Sequence, residues 1–330
     1  MATLKDIAQR AGVTATTVSR VINNRGYISE GTRKKVYAAM EEMHYQPNEL
    51  ARAFSKQYTN TIGLIVPHIS HPFFIKVISN LESSAAEKGF KLLLCNSKEQ
   101  PEKEQDYLDM CISNRVAGIV LCSKYVQTRE FRKMNIPVVN LERGGDDDTI
   151  SVQCDNYQGG KLAAEHLIEC GCKNLLHFGG VAGKDMPADR RADGFSDVCK
   201  KAGIPYRILV SDRLQYGSMH YEDFIRRALQ EFPDVDGIFA SSDLIASQVI
   251  QVGAQMGKRV PEDIQLIGFD DVMISTVTTP QITTIHQPVE EMAELCVEYI
   301  TKSLKNEPVP QKIVLPVRLV QRGTTVLKTK

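Results

Sequence analysis

The sequence predicts a mixed α/β protein, with an N-terminal helix-turn-helix headpiece followed by a body of two doubly wound lobes. Three observations carry this. Up to about residue 55 the apolar residues recur only at helical spacing, in short capped segments. From residue 62 onward, short fully apolar runs alternate with amphipathic stretches, the pattern of parallel strands covered by helices on both faces. At 330 residues and 42% hydrophobic content, the chain is too long for one ordinary domain and apolar enough to bury the cores of two or three.

In the head, Thr3 opens a helix with Asp6 three residues on, a start resembling a capping box. Leu4, Ile7, Ala8 and Ala11 then form one apolar stripe, and Gly12 supplies the positive φ that ends the helix. Thr14 opens the second helix, whose inner stripe is Val18, Val21 and Ile22. Two short helices joined by a tight glycine turn make a helix-turn-helix. Ala15, Thr16, Ser19 and Arg20 lie outside the inner stripe. A third helix starts at Ser29 with Arg33, Lys34 and Lys35 outward and Val36, Met40 and Met43 inward. An ordinary helical bundle with a solvated charged face satisfies the same pattern.

In the body, strands are expected at 62–66, 91–95, 118–122, 137–141, 174–178, 208–210, 237–240 and 265–269. Helices are expected at 73–88, 103–114, 157–170, 191–202, 221–231, 244–256 and 289–305. About eight such units exceed one sheet, hence two lobes. In open α/β sheets ligands sit beyond the carboxyl ends of the strands. The polar residues placed there are Glu142 with Arg143, Ser242 with Asp243, and Asp270 with Asp271; Phe73 and Phe74 follow the first strand. Carboxylates and an arginine clamp neighbouring hydroxyls, while an aromatic face covers the C–H side of a sugar ring. Asp243 and Asp271 equally suit caps of the following helices, and the two phenylalanines equally suit ordinary core.

Bulk properties narrow the function classes. Net charge is zero, but residues 1–60 hold nine Lys/Arg and five Asp/Glu, a net of +4, leaving −4 for 61–330. A basic head on an acidic body suits a polyanion-binding module. No apolar run approaches the ~20 residues of a membrane span, and no signal-peptide pattern opens the chain. Membrane association is therefore not expected and the cytoplasm is. Eight cysteines without a C-x-x-C pair are expected as buried free thiols.

Several motifs fail their chemistry. Residues 179–184 read G-G-V-A-G-K before Asp185, whereas a P-loop needs four residues between its glycines and Ser or Thr after the Lys. The seven histidines form no H-E-x-x-H. There is no nucleophile elbow, no dinucleotide fingerprint and no catalytic constellation. Neither a cofactor, a metal nor an enzymatic activity is expected.

The run T-L-K-D-I-A-Q-R-A-G-V-T-A-T-T-V-S-R-V-I-N, followed by Y-Q-P-N-E-L-A-R-A-F, resembles the headpiece of LacI-family transcriptional repressors. The resemblance continues over essentially the whole chain. It implies that Ala15, Thr16 and Arg20 read bases. The implied DNA-facing set also includes Thr3, Thr14, Thr17, Ser19 and Asn23, with Asn48, Ala51, Arg52 and Phe54 in a hinge helix that enters the minor groove. Residues 48–55 make fewer than three turns, below the ~12–15 residues at which isolated helices become marginal, so this helix should order only against a partner hinge and DNA. Phe54 stands where the family usually has Leu, as an apolar wedge for a base step. The body of that family is similar to periplasmic sugar-binding proteins. This implies Phe73, Phe74, Glu142, Arg143, Arg191, Tyr216, Ser242 and Asp270 as ligand-binding positions, with Arg191 matching an R-x-x-G-F element at 191–195. Glu142 and Ser242 replace the Asp and Asn common there.

The implied organisation is a headpiece at 1–46, a hinge helix and linker at 47–60, and a ligand-binding and dimerisation body at 61–330. Its first lobe spans about 61–158 and 288–317, its second about 159–287 and 318–330. The implied function is a homodimeric repressor of a carbohydrate operon, binding operator DNA under control of a small sugar. H-I-S-H-P-F-F and L-C-N-S-K-E-Q-P-E-K-E most resemble ribose- or sucrose-type members. Two alternatives share parts of the pattern. A sugar-transport protein or carbohydrate enzyme would show an export signal or catalytic residues, and an architectural DNA-binding protein would have no ligand cleft.

Overall fold

The computed structural model describes residues 2–23, 25–45, 58–123, 125, 136–144, 149–181 and 186–328. The expected hinge residues Asn48, Ala51, Arg52 and Phe54 lie outside the described residues, as do 182–185 of the P-loop-like run. The chain divides into two compact units, Met1–Asn60 and Thr61–Lys330.

The first unit holds helices α1 (Leu4–Ala11), α2 (Ala15–Ile22) and α3 (Glu30–Glu42). Thr3 and Asp6 form a reciprocal capping box on α1, and Gly12 closes it at φ +67°. Thr14 and Ser29 cap α2 and α3 through their hydroxyls. Ile7, Ala8, Ala11, Val18, Val21, Val36 and Ala39 form one small core. A two-pronged Arg10–Glu42 ion pair ties α1 to α3 at the surface, where such pairs contribute little.

The second unit contains two six-stranded sheets. The first sheet comprises β1 (Thr61–Val66), β2 (Lys91–Asn96), β3 (Gly118–Leu121), β4 (Val138–Leu141), β5 (Ile150–Cys154) and β11 (Lys312–Leu315). Its spatial order is β11-β5-β4-β3-β1-β2, parallel throughout. The second comprises β6 (Leu175–Val181), β7 (Tyr206–Ser211), β8 (Gly237–Ala240), β9 (Gln265–Asp270), β10 (Thr283–His286) and β12 (Arg318–Val320). Its order is β12-β10-β9-β8-β6-β7, parallel except for the β10–β12 pair. Four strands, β5, β10, β11 and β12, were absent from the sequence pattern, and 208–210 lengthens to β7.

Helices α4 (Pro72–Glu87) and α12 (Val289–Leu304) cover one face of the first sheet, and α5 (Pro101–Ser113) covers the other. On the second sheet, α6 (Asn156–Glu169) and α7 (Arg190–Ala202) cover one face. Helices α9 (Glu222–Glu231) and α10 (Asp243–Gln255) cover the other. The short helices α8 (Arg213–Ser218) and α11 (Ile274–Val277) edge the second lobe. Each sheet thus has an apolar cluster on both sides, which explains its near-continuous apolar strands. The chain crosses between lobes three times, at Asp155, at Gln287 before α12, and between β11 and β12.

Helices α6 and α7 cross unusually closely. A Cβ at Gly160 would lie 1.9 Å from the carbonyl oxygen of Arg191, and one at Gly194 2.0 Å from that of Tyr157. Only glycine permits both approaches. All eight cysteines are free and buried, as their apolar settings predicted. No described helix is long and apolar enough to cross a membrane.

Candidate functional site

In the head, the caps consume part of the expected DNA-facing set. Thr3 exchanges hydrogen bonds with Asp6, Thr14 accepts the Thr17 N–H at 3.1 Å, and the Thr14 and Thr17 hydroxyls lie 2.9 Å apart. Asn23 Nδ2 donates back to the Ser19 carbonyl at 2.9 Å. Ala15 packs partly against the head core, and Ser19 is half-buried. Thr16 and Arg20 are exposed on the outer face of α2, one turn apart and therefore neighbours. A short polar side chain in the first turn of the helix, with a guanidinium one turn on along the same exposed face, suits groove insertion.

In the body, a cavity of about 150 Å³ lies between the lobes at the carboxyl ends of both sheets. Phe73, Phe74, Glu142, Arg191, Tyr216, Ser242 and Asp270 all line it, and Arg143 does not. Arg143 is instead buried with Nη1 donating to Asn140 Oδ1 at 3.0 Å.

The first lobe supplies an aromatic wall. β1 ends at Val66, and His71 caps α4, its Nδ1 accepting the Phe73 N–H at 3.3 Å. The capped first turn fixes Phe73 and Phe74, whose rings meet edge to face with centroids 5.2 Å apart. Tyr216 of α8 reaches across from the second lobe, edge-on to His68 at 5.4 Å. Lys76 Nζ donates to the Asp271 carbonyl at 2.9 Å, a second contact across the cleft.

The polar wall is held from behind. Glu142 accepts from the Cys154 N–H and from Asn156 Nδ2, the latter at 3.0 Å. Arg191 Nε donates to Asn156 Oδ1 at 2.7 Å, and Nη1 donates to the Ser241 carbonyl at 2.6 Å. The guanidinium lies 3.5 Å from the centroid of the Phe269 ring, a cation–π contact that restricts it further. Asn156 therefore joins a first-lobe carboxylate to a second-lobe guanidinium, and the glycine-mediated closeness of α6 and α7 makes this bridge short.

Asp270 is 4% exposed and accepts from Gln287 Nε2 at 2.6 Å. Burial pushes its carboxyl up to about 7, against the opposing pull of Arg191 and the Gln287 amide. Asp270 has φ +102° and Glu142 φ +49°. Non-glycine residues in left-handed backbone store strain, which concentrates at functional sites. Among the described residues, Ser123 Oγ and Gln287 Oε1 are buried without a hydrogen-bond partner, and both residues line the cavity.

The alternative roles of the neighbouring aspartates divide differently from expectation. Ser242, not Asp243, caps α10 by accepting the Ile245 N–H at 3.2 Å. Asp243 is fully buried and accepts from the Val272 N–H at 2.9 Å and the Thr284 hydroxyl at 2.6 Å, pinning the Asp270–Asp271 turn from below. Burial and the nearby Asp270 raise its pKa well above the carboxylate range. Asp271 is no helix cap: it pairs with Arg322 at 2.6 Å and His286 at 2.8 Å. Burial would raise its pKa, but these partners outweigh it and hold the carboxyl low.

Sequence reasoning missed Asn156, Gln287 and Ser123. Ser123 was accessible to it, since it follows the end of β3 as Glu142 follows β4. Gln287 follows a strand whose T-T-I-H pattern reads as polar, and Asn156 looked like part of a helix start. Among the described residues, no group of three or more His, Cys, Asp or Glu side chains gathers as for a metal.

Comparison with known proteins bears on both units. Residues 3–48 match the family described as bacterial regulatory proteins, lacI family, and residues 164–325 match a periplasmic binding protein-like domain. The chain is 34% identical to a ribose operon repressor of Halalkalibacterium halodurans, covering 98% of this chain and 97% of that one. It is 34% identical to a sucrose operon repressor of Pediococcus pentosaceus, covering 97% and 98%. A solved periplasmic binding protein/LacI transcriptional regulator from Alkaliphilus metalliredigens, complexed with D-xylulofuranose, superposes with a TM-score of 0.73 at 33% identity. That match covers 81% of this chain and all of the solved one.

Proposed function

The chain belongs to the lacI family of bacterial regulatory proteins, and from that premise we propose that it represses a carbohydrate-utilisation operon, releasing or gripping operator DNA according to a small sugar held between its body lobes. The observation that carries the sugar site is the pair of buried polar atoms, Ser123 Oγ and Gln287 Oε1, that find no partner among the described residues, in a cavity walled by Phe73, Phe74, Glu142, Arg191 and Asp270. Buried polar atoms without partners are costly, and ligand hydroxyls would satisfy them. The ribose- and sucrose-operon names of the relatives and the sugar in the solved neighbour support the same class.

In this reading, Thr16 and Arg20 meet base edges, with Ala15 beside them. Thr3, Thr14, Thr17, Ser19 and Asn23 set the helix ends against the phosphates. Asn48, Ala51, Arg52 and Phe54 form the hinge contact. A sugar bonded to both walls favours one lobe arrangement by its differential affinity for the two, and the hinge transmits the change. The active species is a cytoplasmic homodimer. Apolar Leu94 on the free edge strand β2, and Ile208 and Val210 on the free edge strand β7, are exposed, and a second copy would cover such edges.

The test is operator titration with and without sugars drawn from a thermal-shift screen. The parent chain should change operator affinity when the bound sugar is added. Asp270→Ala should lose that response while keeping the affinity of unliganded protein for operator. A normal response in Asp270→Ala would move the sugar site elsewhere.

A further inference from the structure

Asn156 is 3% exposed and does not line the cavity, yet it bonds to two charged residues that do, Glu142 and Arg191. Its place follows from the local structure. Asp155 caps α6 by accepting the Gln158 N–H at 2.9 Å, so Asn156 is the first residue of that helix. Arg191 stands in the first turn of α7, drawn close to α6 at Gly160, where an added Cβ would lie 1.9 Å from the Arg191 carbonyl oxygen. A side chain as short as asparagine therefore reaches the guanidinium. Only one orientation of its amide fits. Nδ2 donates to Glu142 Oε2 at 3.0 Å and to the Cys154 carbonyl at 3.2 Å, while Oδ1 accepts from Arg191 Nε at 2.7 Å. Turned over, the amide would present its donor to a guanidinium that only donates and its oxygen to a carboxylate that only accepts.

Among the described residues, Glu142 and Arg191 bond to this amide and not to each other. Opposite charges in a buried cleft attract strongly, because water screens them weakly there. A direct ion pair would occupy the atoms that each turns to the cavity. With the amide between them both keep capacity for a ligand: the Glu142 oxygens have further lone pairs, and Arg191 Nη2 makes no hydrogen bond among the described residues. Resting on the reading of this cavity as a sugar site, we infer that Asn156 is a positioning residue, a neutral spacer that holds Glu142 and Arg191 apart and aimed at the sugar's hydroxyls without touching the sugar itself.

The experiment is calorimetry on the full chain with D-ribose, sucrose and any other sugar that raises the melting temperature of the parent. Asn156→Asp keeps the size of the side chain and the acceptor for Arg191, but loses the donor to Glu142. An acidic residue in a first turn suits the helix N-terminus, so this variant should fold. It should bind sugar about ten- to a hundredfold more weakly, the range expected for a lost hydrogen bond to a charged group. Glu142→Gln returns a donor to the pair with its direction reversed. Losses at independent sites multiply; the double variant should instead bind about tenfold more tightly than the product of the two single losses. Asn156→Ala removes both bonds and serves if the carboxylate prevents folding; it too should bind at least about tenfold more weakly. A merely structural role would lower the melting temperature and let the losses multiply. Multiplying losses, or parent-like affinity in Asn156→Asp or Asn156→Ala, overturn the inference and leave the sugar site standing. If no sugar in the screen binds the parent, the sugar site falls and this inference with it.

Discussion

Asp270→Asn should change how the stability of the body depends on pH. The Asp270 carboxyl has an ordinary pKa of 3.8, which burial raises to about 7 in the fold. Below pH 3.8 it is protonated in folded and unfolded chains alike, and the burial costs nothing through ionisation. Between about 4 and 7 the unfolded chain releases the proton and the folded chain retains it, so stability falls as pH rises. Above 7 both are ionised and the loss is complete. At 1.36 kcal/mol per pKa unit, the full loss is on the order of 4 kcal/mol, of which about 3 falls between pH 5 and 8. Asparagine does not titrate, and its side-chain oxygen can still accept from Gln287 Nε2. Urea unfolding of parent and variant, followed by circular dichroism at pH 5, 6, 7 and 8, measures the effect. The stability of Asp270→Asn relative to parent should climb by about 3 kcal/mol across that range. Parallel pH profiles would refute the account of a desolvated carboxyl kept in the cleft against stability.

Other outcomes follow from the same geometry. Arg20→Ala should weaken operator binding by about 1–3 kcal/mol and relax preference at one symmetric base pair, whereas equal loss on every sequence would assign Arg20 to phosphate contact. Gly194→Ala puts a Cβ 2.0 Å from the Tyr157 carbonyl oxygen. The forced separation of α6 and α7 should cost about 1–3 kcal/mol or more in a thermal melt, and calorimetry should show sugar affinity falling as the Arg191–Asn156 bond opens. An unchanged sugar affinity would separate the helix contact from the site. Sedimentation at micromolar concentration should show a dimer, and a stable monomer would contradict the covering of β2 and β7 by a second copy.

The parts of this fold legible in the sequence are those whose physics is local. The head could be read residue by residue because Thr3, Gly12, Thr14 and Ser29 act on their own helices. Strands β1, β3, β8 and β9 were legible because both faces are buried and, apart from Thr61, Gln265 and Asp270 at strand ends, their positions are apolar. Strand β10 was not, because Thr283 and Thr284 are buried as hydroxyls satisfied by Thr325 and Asp243, partners only the fold supplies. The same division runs through the cleft. Strand ends pointed to Glu142, Ser242 and Asp270, and the family resemblance added Arg191. Asn156 and Gln287 depend on which segment crosses between lobes, and Arg143, adjacent to Glu142, turns away to Asn140. The left-handed backbone of Glu142 and Asp270 carries no mark in residue type, since glycine is the residue such φ values suggest.

The three crossings between the lobes also bear on how the body is made. Neither sheet is finished by a continuous stretch of chain: β1 to β5 precede the entire second lobe, yet α12 and β11, which complete the first, follow all of the second sheet but β12. During synthesis at roughly 5–20 residues per second, the head can fold as soon as it leaves the ribosome, because its core draws on residues 7–39 alone. The first sheet must meanwhile wait with one side covered by α4 alone until Val289, Met292, Cys296 and Ile300 arrive to pack on it. Such late, distant closure is slow and leaves sticky intermediates. A nascent chain can therefore present a folded head before its body is complete.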